Sequence, residues 1–292
     1  MENNTAPHQL MIIDGRSIAE EILARVGRAL SAYQDPARLA IIMVGDDPRV
    51  ASFVRQKERA AEKVGVVIVR REFSVEVTEN ELCEHIAALA SDPSIDGIVV
   101  QLPLPSHMNL SRVLDVIPIS KDVDVHASES VALFGRGEAP VLPPVAGAIQ
   151  EILDRGKVKV TNRDALVLGH GRLVGVPAAL FLRHNYARVT VVDKPVRDLG
   201  ALTRDAEIIV SGVGQPGLLT PDMVREGVVI IDAGTSESEG KLAGDVDPRC
   251  QEKASLYTPV PGGVGPITVA MLLKNLAVLK QWKDMHMAAG PS

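Results

Sequence analysis

The chain has 292 residues, 46% of them hydrophobic and 23% charged, with a formal net charge of −6. That length suits two domains better than one, and the composition is that of a folded globular protein. The negative balance argues against a nucleic-acid surface or a polybasic membrane anchor, and two distant cysteines, Cys83 and Cys250, exclude a disulfide scaffold or a cysteine-based zinc site.

The first segment, "MENNTAPHQLMIIDG", lacks a basic n-region and a long apolar core, so no secretory leader is expected. No apolar run reaches the roughly 18 residues of a membrane span. These features, with so few cysteines, lead us to expect a cytoplasmic protein without a membrane partner. In "RSIAEEILARVGRAL", Ile18, Ile22, Leu23, Val26 and Leu30 fall at helical spacing. "RLAIIMVG" (38–45) is a short apolar run closed by glycine, the pattern of a buried parallel strand. "ASFVRQKERAAEKVGV" (51–66) reads as an amphipathic helix with Phe53 and Lys57 four residues apart on one face. Spacing alone leaves Lys57 open between a solvated surface charge and a buried amine. "VVIVRREF" follows as a strand, and Thr78 with Glu81 forms a capping box that starts the next helix. "IDGIVVQLPLP" is a strand that its prolines stop after Gln101. The alternation predicts an α/β layer with a parallel sheet.

A second series begins near residue 148. "DALVLGHGRLVGVPAALFL" reads as strand, glycine turn and helix, and "ARVTVVDK", "AEIIVSGVG" and "GVVIIDAG" as further strands. "GPITVAMLLKNLAVLKQW" is a long apolar helix in which Met271, Leu272, Leu276 and Leu279 form a core stripe, and the tail "DMHMAAGPS" reads as frayed.

Gly169, Gly171 and Gly175 have the spacing G-x-G-x-x-x-G, one residue longer than the common dinucleotide fingerprint. Such a turn lets a backbone approach a pyrophosphate at a helix N-terminus. Asp193 ends the next strand, 24 residues after Gly169, where a carboxylate accepts from a ribose hydroxyl. Asp193 would repel a 2′-phosphate and favours NAD, whereas Lys194, His170 or Arg172 would neutralise one; both cofactors stay open on these residues. His107, His126 and His184 have no metal-ligand spacing, and there is neither an H-E-x-x-H helix nor a G-x-S-x-G elbow, so no metal is expected.

"VVQLPLPSH" (99–107), "KDVDV" (121–125) and "TPVPGGVGPIT" (258–268) together strongly resemble the FolD family of bifunctional methylenetetrahydrofolate dehydrogenases/methenyltetrahydrofolate cyclohydrolases. "GDDP" before the lysine helix, "GHGRLVGVP" and "GDVD" (244–247) agree, in the right order along nearly the whole chain. The resemblance implies two α/β domains flanking a cleft, the second a Rossmann-like domain with a parallel sheet. The expected boundaries are residues 1–147 with 267–292 for the folate domain and 148–266 for the cofactor domain. It implies that Lys57 is the central acid/base residue, that Gln101 tunes it, and that Asp124 anchors the pterin. Phe53, Leu102, Pro103, Pro261, Gly262 and Gly263 would meet the substrate. Gly169, His170, Gly171, Gly175, Asp193, Lys194 and Thr235 would meet the cofactor, NADP by family habit with NAD as the alternative. A homodimer in one-carbon metabolism is implied as well.

Several positions depart from the family pattern. Phe53 stands where tyrosine is usual and Val125 where "KDVDG" has glycine; "LPPV" (142–145) replaces "PCTP", "GHG" replaces "GRS", and "DK" (193–194) replaces "HS". These departures make a weakened cyclohydrolase an expectation, and they leave two rival readings: a non-catalytic folate- or nucleotide-binding paralogue, and a dehydrogenase that has lost the hydrolytic step or acts on another substrate class.

Overall fold

The computed structural model describes residues 10–194, 196–238 and 241–288. In chain order its elements begin with β1 (Met11–Ile12), α1 (Gly15–Leu30), β2 (Arg38–Val44), α2 (Pro48–Lys63) and β3 (Val67–Phe73). Next come α3 (Glu79–Ser91), β4 (Gly97–Val100), α4 (Leu110–Leu114), α5 (Ser128–Arg136) and α6 (Pro144–Arg155). Then follow β5 (Asp164–Leu168), α7 (Gly175–His184), β6 (Arg188–Val192), α8 (Leu199–Asp205), β7 (Ile208–Ser211) and β8 (Val228–Asp232). The chain closes with β9 (Ser236–Ser238), β10 (Lys241–Ala243), β11 (Ala254–Tyr257) and α9 (Val264–Ala288). The molecule divides into two compact units, Ala19–Pro144 with Val269–Ser292 and Met1–Ile18 with Val145–Thr268.

In the first unit β2 pairs in parallel with β3 on one side and β4 on the other. Leu39 to Met43 of β2 are buried, as a strand covered on both faces requires. Ile42, Leu82, Ile86, Ile98 and Leu114 belong to one apolar cluster. The helix stripes read from the sequence are buried here: Ile22, Leu23, Val26 and Leu30 of α1, and Met271, Leu272, Leu276 and Leu279 of α9. The capping box is present, with Thr78 Oγ1 accepting from the Glu81 N–H and the Glu81 carboxylate accepting from the Thr78 N–H. At the other end of α3, Lys121 Nζ donates to Ala90 O at 2.6 Å and Asp92 O at 2.7 Å, satisfying carbonyls that a helix end leaves bare.

The second unit carries a six-stranded sheet in the order β1-β11-β8-β7-β5-β6, parallel at every pairing. The chain runs outward from β5 to the edge strand β6 and then returns to β7 on the other flank of β5. That reversal makes a topological switch point between the carboxyl ends of β5 and β7, where doubly wound sheets take their ligands.

Three features differ from the sequence expectations. Residues 10–18 group with the six-stranded sheet and not with the first unit, because Met11 and Ile12 pair with Leu256 and Tyr257 of β11. Helix α9 continues through Ala288, so most of the tail expected to fray is helical; residues 289–292 lie outside the described residues, as do residues 1–9 of the expected non-secretory N-terminus. Strands β1, β9, β10 and β11 are two to four residues long, too short to show a period of their own. Among the described residues no helix is long and apolar enough to cross a membrane.

Candidate active site and dinucleotide turn

Helix α2 buries Val54, Ala60 and Ala61, and Lys57, three and four residues before the two alanines, lies on the same side of the helix. Lys57 is half-buried, and Phe53 one turn earlier is 38% exposed. The Lys57 amine donates to Gln101 Oε1 at 2.6 Å. Gln101 is held in turn: its N–H continues the β2–β4 ladder to Ile42 O at 2.8 Å, and its Nε2 donates to Leu102 O at 3.3 Å. Strand β4 thus delivers an oriented amide oxygen to an amine arriving from α2. Burial lowers the pKa of Lys57 from its ordinary value, and the carboxylate of Asp124 partly opposes that shift.

Asp124 sits in a turn fixed from both sides. The buried Asp122 carboxylate accepts from the His126 N–H and the Ala127 N–H, each at 2.9 Å. From α9, Asn275 Nδ2 donates to Val123 O and to Leu142 O, both at 2.8 Å. Between these anchors Val125 adopts φ +57°, a left-handed conformation that a β-branched residue resists. That φ explains why a glycine suits this position, and why its replacement leaves strain beside Asp124.

Phe53, Leu102 and Pro103 belong to the same unit as Lys57, Gln101 and Asp124. Pro261, Gly262 and Gly263 belong to the other unit, in the loop between β11 and α9. There Gly262 takes φ +106° and its carbonyl accepts from the Gly15 N–H at 2.9 Å.

The three glycines of the dinucleotide turn have different reasons to be glycine. Gly169 takes φ +92°, and a Cβ on it would meet Gly212 O at 2.8 Å. A Cβ on Gly175 would lie 2.1 Å from Gly169 O. A Cβ on Gly171 would meet nothing within 4 Å, so open space faces the middle of the turn at the start of α7. A pyrophosphate needs that space, and the residues present fit a dinucleotide. Asp193 and Lys194 are exposed just past β6, His170 is exposed in the turn, and Thr235 is exposed in the loop after β8. Asp193 makes no hydrogen bond or ion pair with the described residues.

Asn275 and Asp122 were not singled out from the sequence. A lone asparagine within the apolar stripe of "MLLKNLAVL" was the available signal, since a buried amide needs partners. Asp122 had no such mark within "KDVDV". Among the described residues no group of three or more His, Cys, Asp or Glu side chains is placed to hold a metal ion.

Residues 13–124 match the family model for the tetrahydrofolate dehydrogenase/cyclohydrolase catalytic domain, and residues 143–284 match that for its NAD(P)-binding domain. The bifunctional protein FolD of Bordetella bronchiseptica is 39% identical over 269 residues, which is 90% of this chain and 95% of that protein. The crystal structure of the bifunctional FolD enzyme from Campylobacter jejuni superposes with a TM-score of 0.90 at 35% identity, covering 94% of this chain and 99% of that one. The Trypanosoma brucei enzyme, complexed with NADP and an inhibitor, gives a TM-score of 0.89 at 33% identity, covering 94% of this chain and 99% of that one.

Proposed function

The chain belongs to the tetrahydrofolate dehydrogenase/cyclohydrolase family, and from that premise we propose which residues carry each half of the chemistry. The activity is oxidation of 5,10-methylenetetrahydrofolate to the 5,10-methenyl cation, followed by hydrolysis of that cation to 10-formyltetrahydrofolate. A bound nicotinamide cofactor supplies the hydride acceptor. For that step the protein's task is positioning, which needs no strong base. Hydrolysis asks more, because water must lose a proton as it attacks and a ring nitrogen must gain one.

Lys57 is the relay for both transfers. Its burial makes the ammonium form less stable and the neutral amine correspondingly easier to reach. Gln101 fixes the direction of the amine, and Asp124 takes the pterin ring while offsetting part of the desolvation. The 2.6 Å Lys57–Gln101 bond is the observation that carries this reading. Phe53, Leu102 and Pro103 line the folate side; with no hydroxyl at Phe53, the ring adds stacking but no hydrogen bond to the relay, and hydrolysis is retained but weakened. Pro261, Gly262 and Gly263 complete the proposed substrate-binding set.

For the cofactor, Gly169, His170, Gly171, Gly175, Lys194 and Thr235 form the NADP-binding set, a reading supported by the Trypanosoma brucei relative that holds NADP. NAD is the second reading, favoured by the exposed Asp193 carboxylate, which has no partner among the described residues and suits an unphosphorylated ribose. A cytoplasmic homodimer joined through the cofactor unit completes the proposal. Initial rates with NAD and NADP side by side, together with the loss of methenyltetrahydrofolate over the buffer rate, test it. Oxidation with neither cofactor, or hydrolysis no faster than buffer, overturns the corresponding half.

A further inference from the structure

Two carboxylates lie buried at the carboxyl edge of the six-stranded sheet, and the chemistry above uses neither. Asp232 ends β8 and accepts from the Gly234 N–H at 3.0 Å, the Val246 N–H at 3.0 Å and the Asp245 N–H at 3.2 Å. Asp245, with none of its surface exposed, accepts from Ser211 Oγ at 2.7 Å, the Val213 N–H at 2.8 Å and the Gln215 N–H at 2.7 Å. Three donors on one anion tie down the whole loop after β7.

That loop is one wall of the switch-point crevice. Gly212 in it approaches the dinucleotide turn so closely that a Cβ would lie 2.4 Å from Val174 Cγ1, and Gly169 faces Gly212 O in the same way. On the opposite wall stand Gly169, Gly171 and the start of α7. A dinucleotide whose pyrophosphate rests on that turn and whose adenosine ribose reaches Asp193 past β6 must send its nicotinamide half the other way, over the ends of β7 and β8. The geometry points to Asp245 as a positioning residue for the nicotinamide half of the cofactor, acting through the backbone of residues 211–215. Gly234 supports this placement, because a Cβ there would lie 2.3 Å from the Asp245 carboxyl carbon and displace it.

The inference rests on the dinucleotide reading of the turn, and Asp245→Asn separates the two. Asparagine keeps the size but must turn an NH2 towards either Gln215 N–H or the Ser211–Val213 pair, leaving a backbone donor against a donor. Calorimetric titration of the full chain with NAD and NADP is expected to show Kd raised about 10-fold or more, the loss of a charge-assisted bond. The hydrolysis rate, carried by Lys57, Gln101 and Asp124 of the other unit, and the Kd for methylenetetrahydrofolate, none of whose proposed contacts Asp245 touches, should stay within about twofold. Ser211→Ala removes one donor and leaves the carboxylate in place, so a smaller rise in the same Kd is expected, and it decides the matter if Asp245→Asn does not fold. Unchanged dinucleotide affinity in the variants, or an equal loss of folate binding and hydrolysis, overturns the role of Asp245. Failure of the unaltered chain to bind either dinucleotide overturns the reading of the turn instead.

Discussion

Replacing Gln101 with leucine removes the only acceptor among the described residues that is fixed at the Lys57 amine, 2.6 Å away, at nearly constant side-chain volume. A hydrogen bond to a charged group is worth about 1.5–3 kcal/mol, so the hydrolysis plateau should fall about 10- to 100-fold. The pH profile carries a second sign. The Gln101 oxygen favours the ammonium form, so its loss lowers the Lys57 pKa beyond what burial already does, and the rising limb moves to lower pH. Gln101→Glu does the reverse: a carboxylate within about 4 Å adds an attraction on the order of 4 kcal/mol at an effective dielectric constant of ~20, and the limb moves to higher pH. Asp124→Asn, which removes the one opposing charge, should move it to lower pH again. The assay is the initial rate of methenyltetrahydrofolate loss between mildly acidic and alkaline pH, corrected for the buffer reaction. A Gln101→Leu enzyme with an unchanged plateau and an unmoved limb would remove Gln101 from the relay.

Further expectations follow from the packing. Val125→Ala keeps the left-handed strain and loses buried surface, whereas Val125→Gly loses more surface but sheds about 1–2 kcal/mol of strain. The glycine variant should therefore be at least as stable in urea as the alanine variant, and an alanine variant clearly the more stable would contradict the strain. Asn275→Leu strips the donors from Val123 O and Leu142 O, at about 1–3 kcal/mol for each carbonyl left unpaired. Its melting temperature should fall and folate affinity weaken with it; an unchanged Kd for folate would free Asp124 from this brace. Burial raises the carboxyl of Asp232 from 3.8 to about 6, with the charge of Asp245 adding to the rise. A raised acid binds its proton more tightly in the folded state, so its stabilising contribution is complete below 3.8 and is lost as pH rises through about 6. Carbon-13 NMR of the labelled carboxyl should give a midpoint near 6, and a midpoint below 4 would refute the burial argument.

Much of this fold was legible because its elements carry strong periods. The stripe Ile18–Leu30, the run Leu39–Met43 and the capping box at Thr78 each state their own structure, and the structure keeps them. The glycine turn was legible as a turn, but not which glycine serves the fold and which the ligand; that distinction needed the distances around Gly171. Strand β1 was not legible, since two residues with both side chains exposed show no pattern and owe their conformation to β11. At the site, Lys57 and Gln101 are 44 residues apart, and local spacing cannot report a contact of that range. Family motifs supplied it. The braces at Asp122 and Asp245 were missed because they act mostly on backbone groups, which leave no residue-type signature, and Asn275 was marked only by its place in an apolar stripe.

Lys57→Met tests the account most directly. Methionine keeps the length and apolar stem of the lysine but cannot hold or move a proton, so hydrolysis of methenyltetrahydrofolate should drop to the buffer rate while the Kd for folate stays near that of the unaltered chain. Hydrolysis that continues unchanged in this variant would contradict the central role given to the amine.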